Sequence, residues 1–191
     1  MGHKRKTERG VTLVELMVTV VILVILVAAG APSFKRLKQI VESQRVAQHI
    51  TTLVNYSRFT AVTKGSQVTL CAIDEGGRCI RDWADAVSAN VFIDSNRDRA
   101  YDHSEDLLRI SKLPMRLGKT KWKASLARSY IMFEPSGFTW QNGTFNFCPA
   151  DGDARDAHAL VVSHTGRSYL TTDRNGDGIR EDRSGNPLVC N

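Results

Sequence analysis

The chain has 191 residues, 42% hydrophobic and 24% charged, with a formal net charge of +6. Once the apolar run near the N-terminus is set aside, that length leaves room for one modest globular domain and excludes two. Nor does the basic balance mark a nucleic-acid binder by itself, because Lys4, Arg5, Lys6 and Arg9 against Glu8 place +3 of it in the first ten residues.

The first predicted element is an apolar helix. From Val11 to Ala31 the only charged residue is Glu15, and these residues make roughly 31 Å of helix at about 1.5 Å per residue, close to a bilayer core. Cations precede the run, so residues 1–10 are expected to stay cytoplasmic and the remainder to be translocated. The small residues from Ala28 to Ala31 also suit a secretory cleavage site, which is the competing reading. A lone carboxylate in hydrocarbon costs on the order of 3 kcal/mol by insertion scales and marks a functional site. Its bland alternative is a side chain that reaches the interface from near the helix end.

The stretch RGVTLVEL, beginning at Arg9, resembles the class III signal of type IV pilins and of the pseudopilins of type II secretion. The resemblance implies cleavage between Gly10 and Val11 by a prepilin peptidase, followed by methylation of the new N-terminus. It assigns Glu15 to the family's glutamate and Pro32 to a proline that kinks the N-terminal helix. Val11 departs from the usual phenylalanine or methionine. In a filament, Glu15 would pair with the Val11 amine of a neighbouring subunit and set the register of assembly.

Beyond Pro32, apolar residues recur at helical spacing at Ile40, Val41, Val46, Ala47, Ile50, Leu53, Val54 and Val62, and Gly65-Ser66 closes the pattern. One helix is expected from about Thr12 to Thr63, bent at Pro32 because proline removes a backbone donor. Short strands split by turns follow: QVTLCAI, NVFID, LLRIS, TKWKAS, SYIMFE, TFNFC, ALVVSH and RSYLTT. The expected organisation is a leader (1–10), a transmembrane segment (11–31), an amphipathic continuation (32–64) and a β-rich periplasmic head (65–191). A long helix packed on antiparallel strands is an α+β fold. The segments VTLCAIDEGGRC and NVFIDSNRDRAYDHSEDLLR, with the closing glycine-arginine segment and the terminal cysteine, resemble the minor-pseudopilin group of general secretion pathway protein H (GspH) and the FimT/FimU minor pilins. A tryptophan common before the first hairpin strand in that group has its counterpart in Trp83.

The cysteines are Cys71, Cys79, Cys148 and Cys190. A translocated domain sits in an oxidising space, and four cysteines allow three pairings. The family resemblance favours Cys71–Cys79 and Cys148–Cys190. The spacing lacks the Cys-x-x-Cys and paired-His patterns of a zinc site.

Two aspartate-rich loops have the oxygen donors of a calcium site. DSNRDRAYDHSE offers Asp94, Asn96, Asp98, Asp102 and Glu105, but Arg99 stands where the sharp turn wants glycine. DRNGDGIREDRS offers Asp173, Asn175, Asp177 and Gly178, but ends on Ser184 in place of the bidentate glutamate. The alternative for both is a hairpin tip whose Asp, Asn and Gly serve turn geometry.

Between Arg109 and Arg128 the chain is basic, and Lys119, Lys121 and Lys123 alternate so that on a strand they share one face opposite Trp122. That is either a phosphate-binding stripe or a solvated strand face. FimT-like pilins suggest DNA contact through a Gly-Arg-x-Arg motif. Gly166 and Arg167 match it, Tyr169 replaces the second arginine, and the segment from Gly166 onward is formally neutral. The histidines form no metalloprotease spacing, and neither a nucleophile elbow nor a phosphate loop is present. The sequence therefore reads as a non-enzymatic minor pilin or pseudopilin, single-pass in the inner membrane before assembly with other pilins, with DNA binding as the competing role.

Overall fold

A computed structural model of the chain describes residues 10–76, 78–80, 82–83, 85–98, 101–102, 105–113, 118–125 and 128–190. The leader residues 1–9 and Arg99 lie outside the described residues. The chain divides into two compact units, Met1–Lys38 and Gln39–Asn191. One helix, α1 (Leu13–Lys64), contributes to both, and its assignment continues through Pro32. The strands that follow are β1 (Val68–Ile73), β2 (Cys79–Ile80), β3 (Ser88–Ile93), β4 (Leu107–Lys112), β5 (Gly118–Ala124), β6 (Tyr130–Phe133), β7 (Gly143–Pro149), β8 (His158–Val162) and β9 (Ser168–Leu170).

In the second unit, α1 buries a stripe of Val46, Ala47, Ile50, Leu53, Val54, Ser57, Thr60 and Ala61. These positions follow the 3.6-residue repeat, so they line one face. Val41 and Val62, expected on that face, are exposed. Val62 lies about 100° around the helix from Ala61, and the buried phase runs instead through the small polar residues Ser57 and Thr60.

The strands form two antiparallel sheets. In the first, β1 pairs along its length with β3, which pairs with β4, while its other edge pairs with β6 and then β2. Every residue of β1 is buried, as a central strand covered on both faces requires. The second sheet has the order β5-β7-β8-β9. Its inner face carries Trp122, Phe145, Phe147, Leu160 and Val162, which join the α1 stripe, Leu70, Val91, Ile131 and Phe133 in one core. Trp83 is also fully buried there and sets its ring edge against Phe145 at 4.8 Å. Sequence patterning did not show β2, whose two residues are too short for any period. All buried residues among those described lie between Gln39 and Leu188. The segment 39–191 therefore carries a complete core and forms a head that folds alone.

A polar contact joins α1 to the second sheet. Ser43 Oγ donates to the Asp156 carbonyl at 3.0 Å and meets His158 Nδ1 at 3.2 Å. Burial, reinforced by the Arg180 charge and only partly opposed by Asp156, pushes the His158 imidazole down to about 4. A lowered histidine pKa means the unfolded chain takes up a proton first as pH falls. Head stability should thus be lost between pH 6.5 and about 4, by about 2 kcal/mol at pH 4.5 relative to pH 7.5. Urea unfolding at the two pH values checks this: His158→Asn should remove that part of the drop, and an unchanged pH profile in the variant would refute the assignment.

Candidate functional site

The N-terminal part of α1 is the most unusual surface of the chain. Every large apolar side chain from Val11 to Val27 is more than half exposed, and the segment is long and apolar enough to cross a membrane. Glu15 sits in the first turn. Its backbone N–H donates to Thr12 Oγ1 at 3.2 Å, and the Leu16 N–H donates to the Thr12 carbonyl at 3.1 Å. Thr12 caps the helix in a Thr-x-x-Glu arrangement, and a carboxylate at the third helical position faces the positive end of the helix dipole. The sequence carries both halves of this cap, Thr12 and, three residues on, Glu15. Gly10 and Val11 precede the helix and are exposed.

On the head, Cys71 bonds to Cys79 and Cys148 to Cys190. The first pins β2 against β1. The second fixes the C-terminal segment to β7, where Leu188 covers Ala157 and Ala159 together with Ile179 and Cys190. Lys119, Lys121 and Lys123 are exposed on β5, while Thr120 and Trp122 point inward. Arg167 lies in the β8–β9 turn, and β7 and β8 separate that edge from β5. The four basic residues named as DNA contacts therefore occupy opposite edges of the sheet and form no single patch.

The acidic loops are built differently from one another. Between β3 and β4, Asp94 Oδ2 accepts from Thr69 Oγ1 at 3.0 Å and Glu105 Oε1 accepts from the Ser95 N–H at 3.1 Å. Asn96 Nδ2 donates to Asp98 Oδ2 at 2.9 Å and to Asp102 Oδ2 at 3.5 Å. Asp94, Asp98 and Glu105 bring carboxylate oxygens within 4.8 Å of one another. Burial, with the charges of Asp94 and Asp102, pushes the Glu105 carboxyl up. A left-handed residue does occur in this loop, but at Arg97 (φ 62°).

In the C-terminal loop, Asp173 accepts from the Gly176 N–H at 2.7 Å and the Gly178 N–H at 2.8 Å. Asn175 Oδ1 accepts from the Asp177 N–H at 2.9 Å, and Asp177 Oδ1 from the Ile179 N–H at 2.8 Å. The closing carboxylate is Glu181, which joins Asp173 and Asp177 within 4.8 Å. Ser184, at the twelfth place of the loop, instead donates its N–H to Asp182 Oδ1 at 2.8 Å. Glu181 was missed because a twelve-residue loop places its last ligand three residues later.

The family model of type II transport protein GspH matches residues 46–166, well over half of the chain. The chain belongs to the GspH family. A prokaryotic N-terminal methylation motif matches residues 5–31 and so includes Gly10, Val11 and Glu15. The pilin-like protein PilA1 of Thermus thermophilus is 25% identical over 172 residues, covering 86% of this chain and 99% of that protein. Among solved structures, the type IV minor pilin FimU of Pseudomonas aeruginosa superposes with a TM-score of 0.53 at 19% identity, covering 78% of this chain and 96% of that one. The minor pseudopilin EpsH of the Vibrio cholerae type 2 secretion system gives 0.50 at 12% identity, covering 68% and 95%. Those structures share the fold: one long N-terminal helix with antiparallel sheets. The GspH match takes in the β3–β4 loop, whereas the Asp173–Glu181 loop and Cys190 lie beyond it.

Proposed function

We propose that the chain is a minor subunit of a type IV pilus or a type II secretion pseudopilus, filaments built with the same N-terminal signal. The observation that carries this reading is the exposed apolar part of α1 with Glu15 in its first turn. Prepilin peptidase cleaves between Gly10 and Val11, the apolar segment holds the subunit in the inner membrane, and Pro32 is where the helix bends. On assembly, neighbouring helices cover the apolar surface, and Glu15 pairs with the amine that cleavage creates. The work is mechanical and non-catalytic. A DNA-contacting role would have to rest on the β5 lysines without Arg167.

Glu15→Ala should lower the amount of protein in sheared filaments at least tenfold, because the amine of the neighbouring subunit loses its partner in a low-dielectric bundle. Immunoblots of sheared filaments against the membrane fraction read this out, with limited proteolysis reporting an intact head. Equal incorporation of parent and variant would sink the role given to Glu15. Parent protein in sheared pili supports the pilus; parent protein retained in the envelope of well-piliated cells supports the pseudopilus.

A further inference from the structure

We propose that the C-terminal loop is a calcium site, with Asp173, Asp177 and Glu181 as its carboxylate ligands. The decisive observation is Glu181. This side chain is only 5% exposed, and Oε2 accepts from the Arg174 N–H at 2.8 Å while Oε1 is buried with no hydrogen-bond partner among the described residues. No lysine or arginine side chain pairs with Asp173, Asp177 or Glu181 among the described residues. An anionic oxygen taken out of water with no counter-charge is strongly unfavourable, and a cation removes that cost.

The donor set chooses the ion. Three carboxylate oxygens within 4.8 Å of one another need to draw in by only a few tenths of an ångström to share one hard cation, calcium taking its oxygens at about 2.3–2.6 Å. Aspartate, asparagine and aspartate at alternate positions followed by glycine match the first half of a calcium loop, and Gly178 takes the left-handed turn at φ 86°. All donors are hard oxygens, which disfavours zinc and copper. The Gly176 and Gly178 N–H groups fix Asp173 while leaving each of its oxygens a free lone pair. The loop is also tied to the fold, since the Leu188 N–H donates to the Arg180 carbonyl at 2.9 Å and Arg180 Nη1 to the Ala157 carbonyl at 2.9 Å. A bound ion would fix the last twenty residues on the outer face of the second sheet.

An independent observation carries a second site in the β3–β4 loop. Asp94 and Glu105 are 1% and 7% exposed, and each has one buried oxygen, Oδ1 and Oε2, without a partner among the described residues. With Asp98 they stand at the first, fifth and twelfth places of a twelve-residue loop, the places of carboxylate ligands in an EF-hand.

The test uses the 39–191 head stripped with EDTA, then titrated with calcium chloride in a calorimeter and followed by thermal unfolding. Two binding events are expected, with affinities of about 0.1–1 mM as in extracellular modules, and a rise in Tm of about 4 °C at 2 mM calcium. Glu181→Gln should abolish one event and Glu105→Gln the other; Asp177→Asn is a substitute for Glu181→Gln. In EDTA the glutamine variants should melt no lower than the parent, because they remove a buried unpaired charge, and in calcium the order should reverse. A purely structural role for either glutamate would not produce that reversal. No heat and no Tm shift at about 5 mM calcium, with a native circular dichroism spectrum, would overturn both sites. Calcium heat that survives Glu181→Gln in full would overturn the C-terminal one, and an equal response to magnesium would overturn the choice of ion.

Discussion

Replacing Gly166 with alanine is expected to destabilise the head by roughly 3–5 kcal/mol, more than any surface substitution. Gly166 sits in the β8–β9 turn with φ 72°, where its N–H donates to the Ser163 carbonyl at 2.9 Å. An added Cβ would overlap the Gly137 carbonyl oxygen and lie 2.8 Å from Arg58 Nε. Arg58 Nε itself donates to that carbonyl at 3.2 Å, and the Thr139 N–H donates to the His164 carbonyl at 2.9 Å. Two turns and an α1 side chain thus converge on the glycine, so the overlap cannot be relieved by one rotamer change. Gly185→Ala separates the causes: φ is 85° with open space around the Cβ, so only the left-handed penalty of about 1 kcal/mol applies. Arg167→Ala, at an exposed site, should stay within about 0.5 kcal/mol. Urea unfolding of the head with a shared m-value measures all three. If Gly166→Ala and Gly185→Ala cost the same, the close approach to Gly137 is not what fixes this glycine. The result also bears on the Gly-Arg pair that invited a DNA reading, because the geometry already accounts for the glycine.

What the sequence made legible was whatever carried a period. The stripe from Val46 to Val54 and the alternation of Lys119, Thr120, Lys121 and Trp122 were both readable, since burial on one face imposes a repeat on the residues, whereas its continuation through Ser57, Thr60 and Ala61 was not, because small polar residues carry no apolar period. Glu15 was readable for a different reason: a carboxylate in an apolar run is costly enough to be conspicuous, while the cleavage position beside it came only from the resemblance to pilins. Three features had no such signal. β2 exists because a short loop is closed by a disulfide and lies along β1. The C-terminal segment beyond Leu170 has no strand period, yet Ile179 and Leu188 cover the outer face of β8 through isolated contacts. Glu181 completes its cluster through a fold-back in which the Leu188 N–H meets the Arg180 carbonyl, a tertiary event that fixed ligand spacing does not anticipate. Thr12 differs from these: its Thr-x-x-Glu pattern with Glu15 is present in the sequence, so the cap is a local signal rather than a tertiary one.

Removing the Cys148–Cys190 bridge should cost about 4 kcal/mol, because it closes a loop of 42 residues whose freedom in the unfolded chain it restricts. The Cys71–Cys79 bridge closes one of only 8, and the same chain-entropy argument gives about 2.5 kcal/mol. Packing widens the gap. Without the longer bridge, nothing covalent holds Leu188 over Ala157 and Ala159, and burial of a leucine is worth about 2 kcal/mol on its own. The expected phenotype is therefore local as well as global: in the Cys148→Ala/Cys190→Ala pair, hydrogen exchange should rise first in β8 and the segment after β9, while β1 and β3 keep their protection. In the Cys71→Ala/Cys79→Ala pair the change should centre on β2 and the end of β1. Urea unfolding and hydrogen exchange of the two paired variants decide it. If the shorter bridge proves the more stabilising, the order set by loop length fails, and strain or residual structure in the unfolded chain controls the head instead. If the order holds, the C-terminal segment is the least secure part of the head, and the bridge is what keeps it folded against β8.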